Sequence, residues 1–201
     1  MERDTDVGRE LTALGPADDE LLARQAALQA DGAALLAEFD FAVFGAVLLA
    51  GSYVSGLMVH PEVDVMVHAG PGFEPGRVLE WVVARPGVLG VDYRDERGPR
   101  SPTGTLRDER YHVEVTVDFH GRAWRLDLTL WLHDPHANVT EWHERLRDRL
   151  TGAQRLAILR VKDWWHGRRG YQGQLVYSAV LDGGVRTVAE FADWLAAREP
   201  A

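Results

Sequence analysis

Residues 111–133 limit the fold more than any other segment. YHVEVTVDF alternates strictly between apolar and polar residues, His120-Gly121 interrupts, and RAWRLDLTLWLH alternates again. A period of two is that of a strand with one apolar face, and two such runs across a two-residue turn predict a β-hairpin. Asp127 sits in the second run between Leu126 and Leu128, with Arg125 and Thr129 on its own face. An acid in so apolar a strand is costly unless something partners it.

The rest of the chain sorts around that hairpin. Residues 17–38 carry leucines at helical intervals, with Asp18 or Asp19 available as a cap and a break allowed at Gly32. AVFGAVLLA (42–50) is a near-continuous apolar run and predicts a strand buried on both faces. EVDVMVH (62–68) alternates like a strand, 76–85 reads as a helix ended by Arg85-Pro86-Gly87, and 88–93 reads as a strand. Residues 94–110, charged and rich in Gly and Pro, read as a loop. After Pro135 the pattern becomes helical over 141–150, 152–168, 172–182 and 188–198. Thr151 caps the second of these, and Thr187 with Glu190 forms a capping box for the last. The expectation is an α+β protein, a strand-rich lobe over 1–135 followed by a helical lobe over 136–201.

Composition narrows the chemistry. The chain has no cysteine, which excludes disulfides, thiolate metal sites and a cysteine nucleophile, and fits a reducing compartment. With 31 acidic against 22 basic residues the net charge is −9, which disfavours a long nucleic acid as partner. The opening MERDTDVGRE lacks a cationic start followed by an apolar stretch, and the most apolar run, 39–50, is too short to span a bilayer. A cytoplasmic location without membrane contact is therefore expected. Lys162 is the sole lysine beside 21 arginines.

The acids form the main constellation. Gly51-Ser52 ends the first apolar run, and nine residues separate Ser52 from Glu62-Val63-Asp64. Residues two apart in a strand share a face, so Glu62 and Asp64 project side by side. Such a pair is repulsive unless a cation bridges it, and oxygen ligands suit Mg²⁺. With Asp127 on a neighbouring strand, three acids beside a Gly-Ser turn suit two divalent cations. Each part has a plainer reading: an ordinary turn at Gly51-Ser52, a solvated strand edge at Glu62 and Asp64. His133-Asp134-Pro135-His136, with His143 downstream, has no fixed ligand spacing and is not read as a zinc site.

AGSYVSGLMVHPEVDV followed by RLDLTL resembles the polymerase-beta-type nucleotidyltransferase superfamily, and Gly51–Gly56 is similar to the Gly-Ser-x-x-x-Gly turn of its minimal members. The likeness covers roughly residues 42–133. LRVKDWW, VYSAVL and FADWL are similar to the helical lobe of the template-independent members. The resemblance implies a mixed-sheet core and two Mg²⁺ ions, with Mn²⁺ as a substitute. It implies transfer of a nucleoside monophosphate from a nucleoside triphosphate to an acceptor hydroxyl. It makes Glu62, Asp64 and Asp127 the catalytic metal ligands. Gly51, Ser52, Lys162 and Ser178 would bind the triphosphate, and Tyr177 or Trp165 would stack on the base. Lys162 is then expected to face a cleft, where truncation leaves stability almost unchanged. The acidic chain favours a small acceptor. One departure stands out: the first acid is Glu62 where the family usually has Asp. A catalytically degenerate member that binds nucleotide or a protein partner stays open beside the enzyme.

Overall fold

The computed structural model describes residues 18–133 and 138–198. The fold is α+β: a mixed five-stranded sheet with, among the described residues, seven α-helices, and a helical C-terminal portion. In chain order the elements are α1 (Asp18–Glu38), β1 (Ala46–Ala50), α2 (Gly51–Ser55), β2 (Glu62–His68), α3 (Gly76–Val83), β3 (Val88–Glu96), β4 (Arg110–Phe119), β5 (Arg122–Trp131), α4 (Asn138–Arg149), α5 (Gly152–Trp165), α6 (Gly173–Leu181) and α7 (Val188–Ala196).

Packing divides the chain into two compact units. The first runs from Leu28 to Asp148 and contains the sheet. Its strand order is β1-β2-β5-β4-β3. β2 and β5 are parallel, and every other pair is antiparallel. The expected hairpin is present, with His120 and Gly121 both at positive φ in its turn and Phe119 paired with Arg122. Strict alternation sends Val63, Val65, Val67, Val113, Val115, Leu126, Leu128 and Leu130 to one face, where each is fully buried. Leu28 and Leu35 of α1, Phe39 just after it, Val78 and Val82 of α3, and Phe41 and Phe44 join that core. The polar residues of the same strands share the opposite face. α4, assigned from sequence to the C-terminal lobe, lies in this unit but for its last residue, and Thr140 Oγ1 donates to the Leu49 carbonyl at 2.6 Å.

Three local expectations are corrected. Residues 42–50 are not one strand buried on both faces: Phe41–Phe44 is a 3₁₀ turn, and β1 begins after it as a half-buried edge. Gly45 makes the break, with φ 149° and no room for a Cβ against the His68 carbonyl. Gly32 does not interrupt α1, and its bare Cα lies close to Tyr53, which a Cβ would meet at 3.3 Å. β3 runs on to Glu96, and the segment after it is tied down by Arg97 and Arg100 on Asp95 and by the Gly98 amide on Glu109 at 2.7 Å.

The second unit combines, of the described residues, 18–27 with 149–198. Thr151 with Gln154 and Thr187 with Glu190 form the capping boxes that start α5 and α7. Arg160 of α5 bonds both carboxylate oxygens of Asp18, and Arg24 pairs with Asp163. Trp165 packs edge-on against Tyr171 and Phe191 at centroid distances of 5.3 and 5.0 Å.

Leu128 lies next to Asp127 on the opposite face and is fully buried. Leu128→Ala should destabilise the protein by about 2–5 kcal/mol, the range for a truncated core leucine. A urea titration reads this as a lowered midpoint. An unshifted midpoint would mean that the sheet core does not hold the polar face in place.

Candidate metal centre

Pairing register builds the site. Asp64 of β2 lies opposite Asp127 of β5, Asp127 lies opposite Glu114 of β4, and Glu114 lies opposite Asp92 of β3. One row across four strands therefore consists of four acids on the polar face. The row on one side contains Glu62 opposite Arg125, and the row on the other contains Thr129 opposite His112. Like charges directly opposite each other are destabilising in a sheet, so cations are needed nearby.

Carboxylate oxygens of Glu62, Asp64 and Asp127 all lie within 4.8 Å of one another. The three residues expected from sequence to share a site are thus brought together, on the same face. Their side chains are half-buried, and three hard oxygen donors so close suit a divalent cation such as Mg²⁺ or Mn²⁺.

Gly51 shapes the edge of this cluster. Ala50, which precedes it, is paired with Asp64. Gly51 itself has φ 66°, and a Cβ on it would fall on the Asp64 carboxylate. Glycine is required twice here, once for the left-handed backbone and once for close approach. α2 follows as a single short turn. Ser55 is fully buried and donates to the Gly51 carbonyl at 3.1 Å, and Gly56, also left-handed, closes the turn. Ser52 lies in that turn, half-buried. The Gly-Ser-x-x-x-Gly pattern therefore describes a compact turn against Asp64.

Two basic residues that the sequence reading did not select engage the outer acids. Arg125 bonds Glu62 Oε1 at 2.5 Å and Glu114 Oε2 at 3.2 Å. Burial would lower the Arg125 pKa, but the hydrogen bond and charge of Glu62, with the charges of Glu114 and Asp127, raise it on balance, so the guanidinium stays charged. His112 Nε2 donates to Asp127 Oδ1 at 2.5 Å, while its Nδ1 is buried with no hydrogen-bond partner among the described residues. A signal for both existed. A two-residue turn pairing Phe119 with Arg122 dictates every later pair of the hairpin, which puts Glu114 opposite Asp127 and His112 one step along the same face.

Of the remaining candidates, Lys162, Trp165, Tyr177 and Ser178 belong to the helical unit. Lys162 is 2% exposed, with Nζ 5.7 Å from the Tyr177 ring centroid. Tyr177 and Trp165 are buried, Trp165 within the aromatic cluster of α5 and α7, so packing accounts for both rings. Ser178 is exposed on α6. His133 stands 3.3 Å from Glu109 and 134–137 lie outside the described residues. No protein-family model matches the chain, and no curated protein matches it.

Burial revises one expectation: truncating Lys162 also removes packing, since its long stem covers apolar surface. Lys162→Ala should cost about 0.5–3 kcal/mol of stability, read as a lowered melting temperature. A second comparison isolates the role of Gly51. Gly70 has a similar positive φ of 84°, but a Cβ there would meet nothing within 4 Å. Gly70→Ala should cost about 1–2 kcal/mol for the left-handed backbone alone. Gly51→Ala should cost more, because Asp64 must also move. Equal losses in paired melts would show that Gly51 does not cradle Asp64.

Proposed function

We propose that the protein is a metal-dependent nucleotidyltransferase that moves a nucleoside monophosphate from a nucleoside triphosphate to a hydroxyl of a small acceptor. The observation that carries this reading is the convergence of Glu62, Asp64 and Asp127 on one sheet face beside the Gly51 turn. A sheet that places acids on separate strands within a cation's reach, next to a backbone stripped of a side chain, suits a metal–triphosphate complex.

A bound divalent cation supplies charge neutralisation at the triphosphate and polarises the attacking oxygen. Asp64 and Asp127 would hold it, with Glu62 alongside. The chemistry asked of the chain is then modest: alignment and electrostatics, with no covalent intermediate. The acceptor oxygen forms a bond to the α-phosphorus, the bond to the bridging oxygen breaks, and pyrophosphate leaves. Asp127, steadied by His112, is the proposed acceptor of the hydroxyl proton. Gly51 and Ser52 would offer backbone to the phosphates. The acidic chain points to a small or cationic acceptor and the cysteine-free composition to the cytoplasm. Among the described residues no helix is long and apolar enough to cross a membrane.

A second reading has its own support. Glu62 and Asp127 already have basic partners in Arg125 and His112, and Glu62 replaces the usual Asp. A degenerate protein that binds nucleotide or a protein partner without turnover would tolerate both features.

Asp64→Asn tests the first reading against the second. Pyrophosphate release is measured with Mg²⁺, each of the four ribonucleoside triphosphates and a panel of aminoglycoside-like and other polyhydroxylated acceptors, and triphosphate affinity by calorimetry. The enzyme reading expects acceptor-dependent release that falls at least a hundredfold in Asp64→Asn. Triphosphate binding without release in any pairing supports the binding module. Neither release nor binding overturns the enzyme and the nucleotide-binding form of the second reading.

A further inference from the structure

Four acids of the sheet face are close enough to share counter-charge: Glu62, Asp64, Asp127 and Glu114. One cation is already built into the chain among them. Arg125 stands opposite Glu62 in the parallel pairing of β2 and β5 and reaches Glu62 on one side and Glu114 on the other. Its backbone is anchored too, with the Arg125 amide donating to the Pro61 carbonyl at 2.9 Å. That bond fixes where the side chain starts, and the two carboxylates hold its partly exposed guanidinium.

The length of Glu62 fits this arrangement. Register partners on adjacent strands have backbones about 5 Å apart, and a glutamate reaches a neighbouring guanidinium along the sheet with its extra methylene. An aspartate at 62 would be shorter by one carbon–carbon bond, about 1.5 Å, and would hold its carboxylate back toward its own strand.

We propose that Arg125 holds Glu62 as an ion-pair partner, so that Asp64 and Asp127 alone ligate the divalent cation and the guanidinium takes the electrostatic place of a second one. This rests on the metal-centre reading above and reduces the two cations that the sequence resemblance implies to one. The charge balance agrees. Four carboxylates less one guanidinium leave three negative charges, which one divalent cation reduces to one. A second divalent cation beside Glu62 would sit within a few ångströms of the guanidinium and be repelled by it.

Mn²⁺ binding to the full chain, followed by the electron paramagnetic resonance signal of the free ion, tests this without nucleotide or turnover. Single loss of Glu62 would leave Arg125 free to turn on Asp127, so the informative variant removes the pair as a neutral unit. Glu62→Gln with Arg125→Gln should bind Mn²⁺ within about threefold of the parent protein, whereas Asp64→Asn and Asp127→Asn should each weaken it tenfold or more. Arg125→Gln alone should tighten Mn²⁺ binding at least threefold, because it releases Glu62 to the ion. Circular dichroism melts confirm that each variant is folded. A tenfold loss in the double variant makes Glu62 a ligand and overturns the proposal while the metal centre stands. Unchanged or weaker binding in folded Arg125→Gln also overturns it. Absence of Mn²⁺ binding in the parent protein overturns the metal centre itself, and this proposal with it.

Discussion

The placement of Asp64 directly across from Asp127, in the one parallel pair of the sheet, is the constraint on which the candidate site depends. Two carboxylates held opposite each other repel, and the sheet tolerates them because each strand is locked by its other face. Val63 and Val65 flank Asp64, Leu126 and Leu128 flank Asp127, and all four are fully buried. Sliding either strand by one residue would turn its apolar residues to the polar face and bury its acids. The hydrophobic face therefore sets the register, and the register imposes the charge cluster.

The cost of that cluster explains the basic residues around it. Arg125 and His112 come from the rows on either side of the acids, and each reaches an acid near its own row. Gly51 belongs to the same account, since only a residue without a side chain fits against the Asp64 carboxylate. An acid row, two basic neighbours and a bare backbone turn form one electrostatic unit. Three of its carboxylates, from Glu62, Asp64 and Asp127, lie close enough together to suit a divalent cation.

The helical unit is built differently. Its helices are started by hydroxyl caps and held by aromatic packing among Trp165, Tyr171 and Phe191, with arginine–aspartate pairs tying α1 to α5. Lys162, the sole lysine, is buried within it, with Tyr177 beside it. That residue thus has a packing role whatever ligand role it also has.

Local pattern alone determined much of this protein. Alternation in 62–68 and 111–131 specified which side chains share a face, and the two-residue turn at His120-Gly121 specified how β4 meets β5, so Glu114 and His112 were within reach of the sequence. Capping boxes at Thr151 and Thr187 were equally legible, because they join residues three apart. The pairing of β2 with β5 was not legible in that way. Those strands lie some sixty residues apart, and nothing local states whether they pair, in which direction or in which register. Only the tertiary structure decided that Asp64 faces Asp127, that Arg125 reaches Glu62, that Gly45 breaks the first apolar run against His68, and that Lys162 is buried. The first three are contacts between distant segments of the sheet unit, chosen by the burial of its whole apolar face; the burial of Lys162 is decided by the packing of the helical unit.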